Sequence, residues 1–174
     1  LAGAVCMLLY PLLKYNALGD LDILMTFAFL PTIGTSYAIT GMIDWSVLYI
    51  ALPVGLITDG ILHANNTRDM NTDKRAGIVT MAMCMGKKSA AWLYAFEVTF
   101  PYIWILACVI MGVFAWPTVL VLLTVPMAIK CAKTMLKGYQ DINAIAMLDM
   151  QAAQLQMAFS VVLSIALIVS KFIA

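Results

Sequence analysis

Val47-Leu48-Tyr49-Ile50-Ala51-Leu52-Pro53-Val54-Gly55-Leu56-Ile57-Thr58-Asp59-Gly60-Ile61-Leu62-His63-Ala64 runs directly into Asn65-Asn66-Thr67-Arg68-Asp69-Met70-Asn71-Thr72-Asp73-Lys74-Arg75. The first half approaches the ~20 apolar residues that a bilayer crossing requires. In the second half only Met70 is apolar. No proline or glycine interrupts Ile61 to Arg75, so one helix is expected to leave the lipid and carry its polar end into water. The rest of the chain repeats this pattern. Of 174 residues, 64% are hydrophobic and 11% charged, with a mean hydropathy of +0.97. A soluble domain carries roughly 25% charged residues. The excess apolar surface requires lipid, and the expected fold is an all-α, polytopic transmembrane bundle forming one domain over residues 1–174.

Six apolar segments are visible: Leu1–Leu13, Ile23–Thr40, Val47–Ala64, Ala90–Phe114, Pro117–Ile129 and Ala152–Ile173. Pro117–Ile129 spans only by borrowing from Gly112–Trp116 and Lys130–Met135. The connections alternate in kind. Lys14–Asp22, Thr67–Ser89 and Lys130–Gln151 are polar, whereas Gly41–Ser46 and Ala115–Pro117 are short and nearly uncharged. Nine of the ten basic residues (Lys14, Arg68, Lys74, Arg75, Lys87, Lys88, Lys130, Lys133 and Lys137) fall on one face, and Lys171 alone on the other. Cytoplasmic loops carry the excess of Lys and Arg, so the polar loops are expected to be cytoplasmic.

Composition excludes other classes. Ten basic residues are too few for a phosphate-tracking nucleic-acid surface. Cys6, Cys84, Cys108 and Cys131 lack the paired spacing of a zinc site or disulfide framework. The start at Leu1, inside an apolar run without a charged leader, is unlike a signal peptide and suggests the later part of a longer protein.

Chemistry concentrates between His63 and Arg75. On a helix Asn65, Asp69 and Asp73 stand at i, i+4 and i+8, about 6 Å apart on one face. Two carboxylates this close repel unless a cation lies between them. Mg²⁺ takes hard oxygen ligands and keeps places for phosphate oxygens. With Arg68, Lys74 and Arg75 adding positive charge, the stretch can hold a metal–diphosphate, or equally be a salt-bridged helix end. Tyr10 and Lys14, also i and i+4, form either a phosphate-binding pair or an interfacial aromatic–basic anchor. Asp59, His63 and Asn66 make a polar stripe inside the span. A mid-membrane carboxylate costs roughly 2.5–3.5 kcal/mol on insertion scales, so Asp59 either forms a structural pair with His63 or lines an acceptor pocket. Glu97 is expected at the interface or paired with another helix. Asp141 and Asp149 are expected to be solvated. Trp92, Trp104, Trp116 and Tyr94 are expected as lipid or interface anchors.

The run from Ile61 through Asp73, continuing to Thr80, resembles the second aspartate motif of the UbiA-type intramembrane prenyltransferases. The Asn65-Asn66-Thr67-Arg68-Asp69 core is most similar to the menaquinone-forming (MenA-type) branch. Tyr10 to Lys14 is similar to that family's Y-x-x-x-K, and Lys14-Tyr15-Asn16-Ala17-Leu18-Gly19-Asp20 to the loop after it. The resemblance covers roughly Tyr10 to Lys130.

It implies an enzyme that transfers a polyprenyl group from its diphosphate to an aromatic acceptor, 1,4-dihydroxy-2-naphthoate in this branch. Asp69, Asp73 and Asn65 would hold Mg²⁺, with Asn66 completing the metal or phosphate shell. Arg68 and Lys14 would neutralise the diphosphate, and Tyr10 would hydrogen-bond it. Asp59 and His63 would line the acceptor pocket. The family's first N-D-x-x-D motif is absent, so the chain corresponds to the later helices of a roughly nine-helix fold and is expected to be inactive alone. Other acceptors of the superfamily (hydroxybenzoate, haem, chlorophyllide, a glycerol phosphate), a cation-binding transporter and a structural membrane subunit are the competing readings. A bacterial inner membrane is the expected location.

Overall fold

The structure is a computed structural model that describes residues 17–173. Tyr10, Lys14 and the segment Leu1–Leu13 lie outside the described residues. Among the described residues, all regular structure is helical. Five segments are long and apolar enough to cross a membrane: Gly19–Thr40, Trp45–Arg75, Lys87–Ile110, Trp116–Gly138 and Leu148–Ile173. They correspond to the last five apolar segments of the sequence. We label the helices α1 (Gly19–Thr40), α2 (Leu48–Arg75), α3 (Met81–Met85), α4 (Lys87–Ile110), α5 (Val125–Gly138) and α6 (Leu148–Ile173).

The 28 residues of α2 rise about 42 Å, against a hydrocarbon core of ~30 Å. Its C-terminal turns therefore stand clear of lipid, as the unbroken run into Arg75 predicts. Pro53 lies inside this helix, a position that membrane helices tolerate because neighbouring groups re-satisfy the freed carbonyl. At the other end Asp44 caps a short 3₁₀ turn, Trp45–Val47, by accepting the Ser46 N–H at 2.8 Å. Hydrogen bonding from Ser46 holds the Asp44 carboxyl below the usual carboxylate range.

The marginal fourth crossing reaches its length by an unusual route. Trp116–Thr124 is a 3₁₀ helix that passes into α5. A 3₁₀ helix rises about 2.0 Å per residue, giving these nine residues about 18 Å. The 14 residues of α5 add about 21 Å. The expected polar loop Lys130–Gln151 is accordingly corrected. Most of its first half is α5, and only residues 139–147 connect to α6. The amphipathic sequence explains this. Ala128, Cys131, Ala132 and Met135 are buried on one side while Lys130, Lys133 and Lys137 are exposed.

α2 packs against α1, α4 and α6. Ile57, Tyr94, Val98, Ile105 and Phe159 are fully buried between these helices. The Tyr102 ring meets Phe159 edge-on at 5.5 Å, and its hydroxyl shares a 2.7 Å hydrogen bond with Thr124. Tyr94 therefore belongs to the core and is not the lipid anchor expected of it. Trp92 and Trp116 do face outward. Trp104 donates its indole N–H to the Tyr49 carbonyl at 3.0 Å, joining α4 to α2.

Two glycines let the helices approach closely. A Cβ on Gly55 would lie 2.6 Å from Ala28 Cβ and 2.7 Å from Leu24 Cδ1. At that contact α1 widens into a π-helical stretch, Leu24–Phe29. A Cβ on Gly60 would meet Val98 Cγ1 at 3.2 Å and Glu97 Oε2 at 3.9 Å. Small residues at membrane helix crossings allow this backbone proximity, and the Gly60 crossing brings Glu97 of α4 beside α2.

Candidate functional site

At the emergent end of α2, Arg68 organises the polar side chains. Its Nε and Nη2 donate to the two Asp69 carboxylate oxygens at 2.8 and 2.9 Å. Nη2 also donates to Asn65 Oδ1 at 2.7 Å. Nη1 donates to Asp149 Oδ2 at 3.0 Å and to the Ala146 carbonyl at 3.2 Å. The planar guanidinium suits such two-point grips on carboxylates. The sequence assigns Arg68 to the diphosphate, whereas the geometry engages its donors within the protein. It clamps Asp69 and Asn65 in one orientation and ties α2 to the start of α6.

Asp149 was expected to be solvated in a loop. It lies in the first turn of α6 and takes part in this clamp. Asp141, by contrast, caps its own turn through the Asn143 N–H at 2.9 Å. Asp69 keeps 40% of its side chain exposed, and Asn65, Asn66 and Asp73 are half-buried. The arc of oxygen donors at Asn65, Asp69 and Asp73 thus keeps part of its surface exposed at the end of α2. Past Asp73 the chain turns sharply: Ile78 N–H bonds the Asp73 carbonyl at 2.9 Å, and Gly77 takes the left-handed φ of +72° that such a turn needs. Ala17 N–H then bonds the Val79 carbonyl at 3.1 Å, holding the entry to α1 against this turn.

A second cluster lies one step deeper. His63 is fully buried, with Nδ1 3.2 Å from Glu97 Oε1 and 3.6 Å from Asp20 Oδ1. Asp20, Asp59 and Glu97 are 2%, 6% and 2% exposed. The expected Asp59–His63 pair is thus corrected: His63 pairs with α4 and α1, and Asp59 Oδ1 has no partner among the described residues. Glu97 takes the interhelical alternative that its sequence left open. Thr67 Oγ1 is likewise buried without a partner among the described residues, whereas the buried Tyr94 hydroxyl lies beside the Cys131 thiol.

The metal expectation can be tested against the donor set. Two carboxylates and two amides at a helix end are hard oxygen donors. Mg²⁺ is commonly held by one or two carboxylates with waters and phosphates completing its shell. Asp69, Asp73 and Asn65 therefore suit half of such a site. Among the described residues no group of three His, Cys, Asp or Glu side chains is arranged to hold a metal alone. The roles of Asp20 and Asp149 escaped the sequence reading, and the partner of Glu97 could not be named from it, because the partners are 34 to 81 residues apart. The only advance signal was that Glu97 is a carboxylate inside a span.

The UbiA prenyltransferase family profile matches residues 1–169, well beyond the Tyr10–Lys130 limit of the motif resemblance. Among curated proteins, the chain is 45% identical over 89 residues to the Drosophila melanogaster UbiA prenyltransferase domain-containing protein 1 homolog. That match covers 51% of this chain and 25% of the fly protein. It is 42% identical over 115 residues to the Gallus gallus UbiA prenyltransferase domain-containing protein 1, covering 66% of this chain and 34% of that protein. The Homo sapiens protein of that name is 46% identical over 91 residues, with 52% and 27% covered. The matches thus span a quarter to a third of these relatives' lengths. All three are animal proteins, which gives the bacterial-membrane expectation no support. A helical membrane bundle, an aspartate motif at the end of its central helix and a profile match along nearly the whole chain agree: the chain belongs to the UbiA prenyltransferase family.

Proposed function

We propose that the protein is a membrane prenyltransferase that moves a polyprenyl group from its diphosphate to a naphthoate-type aromatic acceptor, as in menaquinone formation. The carrying observation is the Arg68 clamp, which presents Asp69 and Asn65 at the open end of α2. Asp69, Asp73 and Asn65 would bind Mg²⁺, with Asn66 beside them. When bound, Mg²⁺ supplies positive charge to the departing diphosphate. Lys14 and Tyr10 serve the same anion, by charge and by hydrogen bond. Arg68 positions the acidic pair.

The allylic C–O bond breaks, its electrons leave with the diphosphate, and the electron-rich ring carbon forms the new C–C bond. The ring proton must then leave. Asp59 and His63 supply the acceptor pocket and one of them takes this proton; where it is His63, Glu97 and Asp20 stabilise the imidazolium. The apolar helix walls exclude water that would intercept the allylic cation.

The test uses full-length protein, Mg²⁺, a polyprenyl diphosphate and each candidate acceptor in turn. Prenylated naphthoate is the expected product. The Asp69→Asn and Asp73→Asn variants should each lose at least about a hundredfold in kcat/KM, the scale of removing a charge-stabilising group. Turnover of hydroxybenzoate alone would move the protein to another branch, and unchanged rates in both variants would end the reading.

A further inference from the structure

The outer face of α5 carries a feature that prenyl transfer does not use. Lys130, Lys133 and Lys137 are exposed on one side of the helix, opposite buried Ala128, Cys131, Ala132 and Met135. With Pro126, Ile129 and Thr134 they line an open groove of about 580 Å³. Its floor is set by Gly138, where a Cβ would come within 2.8 Å of Ala144 Cβ. The groove is graded along the helix. Pro126 and Ile129 form its apolar end and the three ammonium groups its polar end, the whole rising about 16 Å. Among the described residues no carboxylate lies within ion-pairing distance of these lysines. The nearby acid Asp141 is engaged with its own turn. Three like charges on neighbouring turns repel one another, so their grouping calls for an anion.

We infer that this groove binds one anionic phospholipid, its phosphate headgroup held by Lys130, Lys133 and Lys137 and its upper acyl chain laid against Ile129 and Pro126. The charge complementarity is direct, and the groove lies on a membrane-crossing helix at the face where basic residues accumulate. Basic pockets on transmembrane helices take acidic headgroups in this way, each Lys contributing on the order of 1 kcal/mol. Three such contacts correspond to a preference on the order of a hundredfold over a zwitterionic lipid. The apolar end distinguishes the lipid from a soluble phosphate, which has no use for Ile129.

The experiment reads lipid retention and is independent of catalysis. Full-length protein is purified into detergent containing equal phosphatidylglycerol and phosphatidylcholine, and retained lipid is counted by native mass spectrometry. The wild type should retain phosphatidylglycerol selectively. The Lys130→Gln, Lys133→Gln, Lys137→Gln triple variant should lose that selectivity, single Lys133→Gln should lose it in part, and the triple Lys→Arg variant should keep it. Equal retention of both lipids by the wild type, or undiminished selectivity in the Gln variants, would overturn the inference. Release of the lipid by inorganic pyrophosphate or a prenyl diphosphate at matched ionic strength would also overturn it, assigning the groove to the soluble anion.

Discussion

Arg68 connects chemistry at the mouth of α2 to the rest of the bundle, and Asp149 is the partner through which it does so. Asp149→Asn removes one charge from the clamp while leaving Asp69 and Asn65 in place. The pair is about three-quarters buried, and a hydrogen bond between charged groups contributes about 1.5–3 kcal/mol, here reduced by partial exposure. We expect the KM for the prenyl diphosphate to rise about threefold to tenfold with a small fall in melting temperature, measured by initial rates and by thermal unfolding of the full-length protein. Glu97 sets a sharper contrast. Glu97→Leu leaves the buried His63 without its nearest carboxylate, and breaking a buried pair costs about 3–5 kcal/mol. Glu97→Gln keeps an acceptor oxygen at similar reach and should recover most of the stability. If Glu97 also supports the imidazolium during ring deprotonation, Glu97→Gln will fold normally while its kcat falls and its pH–rate profile shifts. Normal folding with an unchanged profile would leave Glu97 a structural role alone.

At the scale of elements, the crossing of α1 and α2 depends on absent side chains. Gly55→Ala places a methyl 2.6 Å from Ala28 Cβ, which cannot rotate away. Overpacking of this kind costs about 1–3 kcal/mol. Gly34, in the outer half of α1, has nothing within 4 Å of a built Cβ. Gly34→Ala should therefore be neutral or stabilising by up to about 1 kcal/mol through helix propensity. Thermal unfolding of the two variants in one detergent checks the pair, and equal shifts would show that the close approach carries no weight. The spans themselves were legible in the sequence because a lipid-facing helix announces itself by length and apolarity. The α1–α2 and α2–α4 crossings were not, because Gly55 and Gly60 matter through what lies opposite them. The same limit hid the Arg68–Asp149 bond, whose partners are 81 residues apart, whereas the Asn65–Asp69–Asp73 arc was visible because its spacing is local. The 3₁₀ entry to α5 hid for a different reason: Pro117 and Pro126 bracket it, but prolines mark a break without stating which helix fills the gap.

For the molecule as a whole, sidedness follows from charge, and one native cysteine can report it. Five alternating spans place the ends of α2 and α5 and the starts of α4 and α6 at one membrane face. Lys74, Arg75, Lys87, Lys88 and Lys137 lie at those ends, and Lys171 lies at the far end of α6. The positive-inside rule then predicts that this face, with Asp69 and Asp73, is cytoplasmic. Cys84 sits in α3 between Arg75 and Lys87 and is exposed, while Cys108 and Cys131 are buried. Cys6, outside the described residues, is removed by Cys6→Ser. In that background, with every cysteine outside these 174 residues also replaced, a membrane-impermeant maleimide should label the protein in inside-out vesicles and not in right-side-out ones, and Cys84→Ser should abolish the signal. Lys171→Cys, added to the Cys84→Ser background, should label with the opposite preference. Labelling of Cys84 from outside would place the acidic pair away from the cytoplasmic side. The prenyl diphosphate would then have to reach the site from the non-cytoplasmic aqueous phase, and the count of nine basic residues to one would have lost its physical meaning for this chain.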